Sequence, residues 1–358
     1  MRPWRNTLIS EARLQTILNK FHQQRILVIG DFYLDAYWHI DKIKSTLSLE
    51  TPWHTNPVVE QRYSPGAAGT VTNNLKALGV DSVYTLGVIG EDGFGGTLLN
   101  CLKANGCLTD FMIQVPDWVT PTYLKPIHRG YEGVETEGPR FDIENQSPMV
   151  EDVETAVIEA LKACLPLVDG IIVGDQMPHE NLGVITNRVR EALCELAAAF
   201  PEKIFFADSR TRIGAYRNVI IKPNRFEAKR AVQPGWRGHE VDIAMAKQCA
   251  IALAAQTQNT VYVTLGENGI LVCCEGKFTH IPGIPVDSEI DPVGAGDSVS
   301  AGLVASLCSL RPSRGGAAAI EAAYVGNLVA SITVTKIGTT GTASPAEILE
   351  RHRNCINL

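Results

Sequence analysis

Short apolar runs rich in β-branched residues alternate with helical patterns along most of this chain. Strands that alternate with helices build a mainly parallel sheet that carries helices on both faces. We therefore predict an α/β fold with such a sheet at its centre. The predicted strands lie at residues 25–30, 82–88, 168–174, 203–207 and 260–265.

Two stretches, residues 37–63 and 119–142, interrupt this alternation. Both contain strand-like pieces with aromatic, proline and charged residues, and neither has a helical period. Because α/β sheets bind their ligands at the carboxyl ends of the strands, we predict that both stretches form a small β-lid over that edge. Residues 1–24 are predicted to be an N-terminal helical extension, and residues 25–358 one domain that includes the lid.

Composition and charge limit the partners of this chain. Its 358 residues carry a net charge of −7 and no compact Lys/Arg cluster, which argues against nucleic acid because phosphate-backbone binding needs a basic surface. The nine cysteines are dispersed and indicate reduced thiols rather than a disulfide framework. Glu321, Tyr324 and Asn327 interrupt the longest run of small apolar residues, so no membrane span is expected. These features predict a cytoplasmic protein.

The most informative motif lies within residues 290–307, IDPVGAGDSVSAGLVASL. Its small residues Gly294, Ala295 and Gly296 stand before Asp297 and an apolar-patterned helix. A helix that begins there presents free N–H groups and its positive end to an anion, and an aspartate at that point can accept a proton from an attacking alcohol. The motif therefore predicts phosphoryl transfer to a hydroxyl, with Asp297 as general base and the N–H groups of residues 294–297 as an anion hole. An ordinary capped helix start is the alternative.

Other phosphate-binding motifs are absent or incomplete. Residues 90–97 have the spacing of a P-loop, but Gly96 stands where the lysine is needed, so a strand-to-helix turn is predicted. Residues 26–31 lack a GxGxxG motif, which argues against a dinucleotide-binding fold.

The string D-P-V-G-A-G-D followed by S-x-x-A-G closely resembles the second signature of the PfkB-type, ribokinase-like carbohydrate kinases. The most similar pattern is that of the heptose phosphate kinases of lipopolysaccharide precursor synthesis. Without the nucleotidyltransferase module of the bifunctional members, a kinase-only chain is expected. The further matching segments are G-D-F-Y-L-D-A-Y-W at 30–38, S-L-E-T-P at 48–52, R-F-D-I-E at 140–144 and K-I-G-T at 336–339.

This resemblance implies a ribokinase-like fold, a sugar or sugar phosphate as acceptor, and ATP with Mg²⁺ as cofactors. Asp35 matches the family's sugar-binding aspartate at the end of the first strand, and Arg140 is assigned to the acceptor as well. A solvated loop carboxylate is the alternative reading of Asp35. The lid is also the surface through which a homodimer is expected to form.

The nucleotide side is implied in the same way. Asn224 and Glu227 match the N-x-x-E motif, whose carboxylate acts on magnesium through water, although the same pair can form a helix capping box. Asp291 matches an aspartate that helps to hold a monovalent cation such as K⁺ in several members. Residues assigned to the ATP loop and the adenine pocket are Thr264, Gly266, Gly269 and Asn327, with a plain β-turn as the alternative for the loop.

The chain departs from the family at one place. Relatives usually read P-G-G-A-A-N where this chain reads P-G-A-A-G-T at residues 65–70. Gly66 is kept beside the sugar, whereas Ala67 adds a methyl group and Thr70 replaces an amide that both donates and accepts hydrogen bonds. The departure leaves the identity of the acceptor sugar open, whereas the phosphoryl-transfer machinery shows no comparable change.

We therefore predict an ATP-dependent kinase that acts on a sugar or sugar phosphate. Two other functions stay open at this point: a nucleoside kinase of the same fold, and a non-catalytic protein that senses a sugar or nucleotide.

Overall fold

The computed structural model of the chain describes residues 8–311, 315–338 and 340–356. Residues 1–7 of the predicted extension, residue 339 of the K-I-G-T segment and residues 357–358 lie outside this part. The strands are β1 (Arg25–Gly30), β2 (Phe32–Asp41), β3 (Val58–Ala67), β4 (Ser82–Leu86), β5 (Val88–Gly90), β6 (Ile113–Val115), β7 (Thr122–Arg129), β8 (Glu135–Glu137), β9 (Phe141–Ile143), β10 (Gly170–Asp175), β11 (Ile204–Ser209), β12 (Ile220–Ile221), β13 (Val261–Thr264), β14 (Ile270–Cys274) and β15 (Lys277–Ile281). The α-helices are α1 (Glu11–Leu18), α2 (Ala68–Ala77), α3 (Gly93–Ala104), α4 (Glu151–Cys164), α5 (Asn187–Ala199), α6 (Arg225–Val232), α7 (Ile243–Thr257), α8 (Ala295–Ser309), α9 (Gly316–Thr333) and α10 (Pro345–Ile356).

The central sheet has eight strands in the order β15-β14-β13-β12-β11-β10-β1-β4. Its strands from β4 to β13 pair in parallel, and β14 and β15 extend the edge as antiparallel strands. The predicted α/β fold with a mainly parallel sheet is therefore confirmed. Because β1, β11 and β13 are parallel, their carboxyl ends meet at one edge of the sheet.

Each face of this sheet carries its own apolar core. Alternate residues of β1 point to opposite faces, so that Ile26 and Val28 join one buried cluster and Leu27 and Ile29 the other. Helices α1, α2, α8 and α9 pack on the first face, and α4, α5 and α7 on the second. The helix predicted near the N-terminus is present as α1.

The lid is a second sheet in the order β3-β2-β7-β8, and β9 also pairs with β7. The predicted lid segments thus do form strands, but β2 begins at Phe32, before the expected boundary. The placement of Asp35 was wrong: it lies inside β2 and not at the end of β1, and only 7% of its surface is exposed. The alternative of a solvated loop carboxylate is wrong as well.

One predicted strand is divided in two. Residues 82–88 split at Gly87, after which β5 leaves the main sheet and pairs with β6. A Cβ atom at Gly87 would lie only 2.6 Å from the ring of Phe32, so the tight packing of this ring explains the glycine at the break. Residues 90–97 form the predicted turn into α3, with Asp92 as its N-cap.

The structure also describes the cysteines and the lengths of the helices. The cysteines at positions 101, 107, 164, 194, 249, 273, 274 and 355 are free thiols. Among the described residues, the helices are too short or too polar to cross a lipid bilayer.

Candidate active site

The GAGD segment forms the start of α8, as predicted. Gly294 is the N-cap with φ 76°, a left-handed conformation that favours glycine. The N–H groups of Gly294, Gly296 and Asp297 have no acceptor among the described residues, whereas the N–H of Ala295 donates to the carbonyl of Pro292 at 3.1 Å. The candidate anion hole therefore has three free N–H groups rather than four.

Asp297 lies in the first turn of α8 and is partly exposed. Burial among protein atoms, together with the negative charge of Asp208, raises its pKa to about 7. The positive charges of Lys222 and Arg210 oppose this rise. The charge of Asp35 also acts on Asp297, so the candidate base and the candidate sugar carboxylate lie within electrostatic reach of each other.

Two residues at this edge of the sheet were not predicted from the sequence as site residues. They are Asp208 near the end of β11 and Lys222 just after β12. The ammonium of Lys222 is 2.8 Å from Asp208 Oδ2, and its side chain is 4% exposed. A Cβ atom at Gly296 would lie 3.6 Å from Lys222 Nζ. A buried cation thus stands directly beside the anion hole. The sequence signal was its position two residues before Asn224 of the N-x-x-E motif.

Asn224 and Glu227 form the capping box of α6. Asn224 accepts the N–H groups of Phe226 and Glu227, and Glu227 Oε2 accepts the N–H of Asn224 at 2.7 Å. The structural reading of this motif is therefore confirmed. Burial and the charge of Asp208 also raise the pKa of Glu227 to about 7, which indicates that these two carboxyl groups lie close together.

The loop assigned to ATP follows β13. Residues Gly266–Asn268 form a short 3₁₀ turn after Thr264, and Gly266 has open space around its Cα. At Gly269 a Cβ atom would lie 2.1 Å from the carbonyl oxygen of Ile281. The chain's own backbone therefore explains the glycine at 269, and close approach of a nucleotide is not needed to explain it.

The side chains of Asn327 and Asp291 form hydrogen bonds with the backbone of two loops. The side-chain amide of Asn327 donates to the carbonyl of Pro282 at 3.0 Å. Asp291 Oδ1 accepts the N–H of Val293 at 3.0 Å, and the Asp291 N–H donates to Val334. Asn327 therefore holds the loop after β15, and Asp291 holds the loop that precedes the anion hole.

The acceptor side is built on the lid. Asp35 Oδ1 is 2.8 Å from the ammonium of Lys125 in β7, and the two side chains are 10% and 14% exposed. A Cβ atom at Gly66 would lie 2.6 Å from Asp35 Oδ2, so the glycine at 66 leaves room for this carboxylate. Lys125 was not singled out from the sequence, because nothing near it in the chain identifies its partner.

Ala67 and Thr70 join the lid to the core. Ala67, the last residue of β3, has φ 52° and ψ −118°, a conformation that L-residues rarely adopt. Thr70 is buried in α2, and its methyl group would lie 3.4 Å from a Cβ atom at Gly294. The segment that departs from the family pattern therefore lies next to the candidate anion hole at Gly294.

Arg140 is held from two sides. Its guanidinium lies 3.9 Å from the ring centroid of Tyr123 and forms an ion pair with Asp142. Tyr123 also stacks on the buried ring of Tyr33, with centroids 4.5 Å apart. Arg210 is exposed, its charge acts on both Tyr123 and Asp297, and its side chain has no carboxylate partner among the described residues.

Known sequences are similar to this chain over most of its length. The profile of the pfkB family carbohydrate kinases matches residues 24–347. The bifunctional protein HldE of Geotalea uraniireducens (strain Rf4) is 30% identical over 346 residues, which is 95% of this chain and 65% of that protein. HldE of Wolinella succinogenes is 31% identical over 337 residues, 93% of this chain and 66% of that protein. The chain thus spans slightly less than two thirds of the length of these curated relatives.

Solved structures share the fold. Ribokinase of Arabidopsis thaliana, in complex with ribose and ATP, has a TM-score of 0.64 at 16% identity and covers 92% of this chain and 99% of its own. Phosphofructokinase-2 of Escherichia coli, in complex with potassium, has a TM-score of 0.69 at 17% identity and covers 93% of this chain and 99% of its own. At these identities the likeness supports the fold alone.

Proposed function

The chain belongs to the pfkB family of carbohydrate kinases, and we propose that it transfers the γ-phosphoryl group of ATP to a hydroxyl of a sugar phosphate of the heptose class. The observation that carries this proposal is the meeting of three groups at one sheet edge: the free N–H groups at the start of α8, the ammonium of Lys222 and the carboxyl group of Asp297. Together they supply an anion hole and a proton acceptor.

In the proposed reaction Asp297 accepts the proton of the acceptor hydroxyl. The hydroxyl oxygen forms a bond to the γ-phosphorus while the bond from that phosphorus to the bridging oxygen breaks, and ADP leaves with the electron pair. The N–H groups of Gly294, Gly296 and Asp297 donate to the transferring phosphoryl group, and Lys222 neutralises part of its charge. These dipoles are in place before the reaction, which makes them effective for transition-state stabilisation.

The raised pKa of Asp297 suits this role. A base with a pKa of about 7 is ionised in about half of the molecules at neutral pH and holds the transferred proton more strongly than an ordinary aspartate does. The environment that raises the pKa therefore strengthens the base.

The residues fit magnesium bound mainly through ATP and water. Among the described residues, no group of three or more His, Cys, Asp or Glu side chains is arranged to hold a metal, but Asp208 and Glu227 stand together near Asp297. Magnesium keeps several waters and binds through one or two carboxylates plus phosphate oxygens. When bound, the ion would neutralise negative charge on the phosphates.

We also propose a monovalent cation such as K⁺ near the anion hole. Asp291 Oδ1 already accepts the N–H of Val293, and Oδ2 has no partner among the described residues. A cation at Oδ2 would stiffen the loop that leads into Gly294. Turnover measured with K⁺, Na⁺ and a bulky organic cation tests this part.

The acceptor side favours an anionic sugar. Lys125, Arg140 and Arg210 gather around Asp35 and Tyr123, and a phosphate on the acceptor suits their positive charge. The relatives named bifunctional protein HldE support the heptose phosphate class. The match to carbohydrate kinases favours a sugar over a nucleoside acceptor, and the presence of both Asp297 and Glu227 favours an enzyme over a sensor.

We propose a homodimer through the lid. The segment between β2 and β3 exposes several large apolar side chains, and β3 is a free edge strand of the lid sheet. Sedimentation of the wild type and of Trp53→Ser tests this proposal, because loss of an apolar anchor should weaken association. The exposed apolar residues are Ile43, Leu47, Leu49 and Trp53 in this segment and Val59 in β3.

One assay tests the main proposal. ADP release from ATP and magnesium is measured over a panel of sugars, nucleosides and sugar phosphates, and the product is identified by phosphorus NMR. We expect turnover with a heptose phosphate or a sugar phosphate of similar size. Preference for a nucleoside, or ADP release that no acceptor stimulates, would contradict the proposal.

A further inference from the structure

Lys125 binds the carboxylate that the sugar is proposed to use. The residue lies in β7 opposite Tyr37 of β2. Its ammonium contacts Asp35 Oδ1 at 2.8 Å and donates to the hydroxyl of Tyr37 at 3.2 Å, above whose ring it lies with 4.7 Å to the centroid. Burial opposes the charge of Lys125, but Asp35 and Tyr37 outweigh it and raise the pKa of the lysine.

This pair restricts how a sugar can reach Asp35. Two neighbouring hydroxyls bind to both carboxylate oxygens, each of which has two lone pairs, and the ammonium of Lys125 already takes one of the lone pairs of Oδ1. A neutral sugar that displaced the ammonium would leave a nearly buried cation without its counter-ion, which is strongly unfavourable. An uncharged acceptor therefore competes poorly for this site.

The ammonium has a donor left for an anion. Lysine has three N–H donors, and Asp35 and Tyr37 accept two of them. The third has no acceptor among the described residues. A phosphate group on the acceptor would accept from this donor and replace Asp35 as the counter-ion, and Arg140, whose charge interacts with that of Asp35, is a further cation.

We propose that Lys125 is a specificity-determining residue that makes Asp35 available only to acceptors that carry their own phosphate. The inference rests on the proposed function and adds the device that separates a sugar phosphate from the free sugar. In the free enzyme the ion pair holds one oxygen of the sugar carboxylate. When a phosphorylated acceptor binds, its phosphate engages Lys125, and Asp35 is released to accept the sugar hydroxyls.

The test compares Lys125→Met with the wild type by calorimetry, with a non-hydrolysable ATP analogue in the nucleotide site. The ligands are matched pairs: mannose with mannose 6-phosphate, and a mannoheptose with its 7-phosphate. The loss of one hydrogen bond between charged groups should weaken binding of the phosphorylated member by about 30-fold. The free sugar should bind as well as before or better, so the preference for the phosphate falls by at least that factor.

Lys44→Met is the matched control. Lys44 lies on the same lid, with 65% of its side chain exposed, and its one ion-pair partner in the described part of the chain is Asp41 at 3.6 Å. Its replacement should leave both affinities unchanged. Lys125→Gln is a second variant that keeps a donor for Asp35 without the charge, and it should lose the same preference. The melting temperature and the affinity for the ATP analogue identify a variant that has not folded.

A measurement on the wild type keeps the proposal testable if neither variant folds. With the ATP analogue bound, inorganic phosphate should increase the affinity for the free sugar, because the ion can engage Lys125 in place of the acceptor phosphate. Absence of this effect would overturn the inference.

The outcomes also separate this inference from the proposed function. A wild type that shows no preference for phosphorylated sugars contradicts both. A wild type with that preference, combined with Lys125 variants that retain it or lose both ligands equally, overturns the inference and leaves the proposed function intact.

Discussion

Two lysine–aspartate pairs of equal length mark the two ends of the candidate site. Lys222 and Asp208 in the core are 2.8 Å apart, and so are Lys125 and Asp35 in the lid. All four side chains are at least 86% buried. Distance and burial therefore do not distinguish the two pairs. The charges of their neighbouring residues do.

The core pair has negative neighbours. Asp297 and Glu227 stand beside it, and the pKa of each is raised to about 7. Three carboxyl groups around one ammonium form an environment that takes up a proton and attracts a divalent cation.

The lid pair has positive neighbours. Arg140 acts electrostatically on Asp35, Arg210 acts on Tyr123 in the same strand as Lys125, and Asp142 is already paired with Arg140. This environment suits an anionic ligand. The same kind of ion pair thus suits proton and metal chemistry at one end of the candidate site and recognition of an anionic acceptor at the other.

The largest effect is expected at the core end. Asp297→Asn removes the proton acceptor with little change in shape, so kcat should fall by about a hundredfold or more while ATP binding persists. Steady-state kinetics and nucleotide calorimetry measure the two quantities. Asp287→Asn, on the exposed loop before α8, is the matched control and should keep normal turnover. Normal turnover in a folded Asp297→Asn variant would show that another group is the base.

The second prediction separates the two lysines. Lys222→Met removes a charge beside the transferring phosphoryl group and should lower kcat by about a hundredfold for every acceptor, the scale of one lost oxyanion donor. It should also reduce the free energy of unfolding by about 3–5 kcal/mol, because Asp208 is left buried without its partner. Kinetics on a phosphorylated and an unphosphorylated acceptor, with urea unfolding, provide the check. A variant that impairs only the phosphorylated acceptor would assign Lys222 to recognition and erase the contrast with Lys125.

The sequence predicted those residues of the candidate site that lie together in one short motif. The GAGD segment identified Asp297 because one turn of chain carries the small residues, the helix start and the carboxyl group. The capping pair Asn224 and Glu227 was recognised for the same reason. By contrast, Asp208 and Lys222 end different parallel strands and meet only through the sheet. Their partnership follows from the fold and not from spacing in the chain.

The lid was harder to predict than the core. Its two segments were identified by their lack of helical period, but the pairing of β2 with β7 was not. Only that register brings Lys125 to Asp35. The strand placement of Asp35 was missed because a single aspartate in an aromatic segment is also typical of a loop.

The third prediction concerns pH. Asp297 acts as a base only when it is ionised, and its pKa is raised to about 7, so kcat/KM for the acceptor should fall as the pH drops below about 7. Asp208→Asn removes a negative charge that raises this pKa, which should move the acid limb to lower pH. Kinetics from acid to alkaline pH in saturating magnesium and ATP give the profile. Glu60→Gln, on the exposed lid strand, is the control and should leave the limb in place. An acid limb that stays near pH 7 in Asp208→Asn would assign it to another group.

The smallest effect concerns backbone strain, which also differs between the two ends. At the core end the left-handed position is occupied by Gly294, whereas at the acceptor end Ala67 has φ 52°. Such a conformation costs an L-residue roughly 1–3 kcal/mol, and glycine loses about 0.5–1 kcal/mol more backbone entropy on folding. Ala67→Gly should therefore increase the free energy of unfolding by about 1 kcal/mol, measured by urea denaturation.

The neighbouring variant Ala68→Gly provides the matched control for this last prediction. Ala68 is the first residue of α2, where glycine relieves no strain, so this change should lower the free energy of unfolding. If Ala67→Gly destabilises the protein as much as Ala68→Gly does, the backbone at Ala67 is not strained. If Ala67→Gly stabilises the protein but weakens the acceptor affinity, the methyl group at this joint serves the sugar site at the expense of stability, and the departure from the family's glycine is a feature of acceptor recognition.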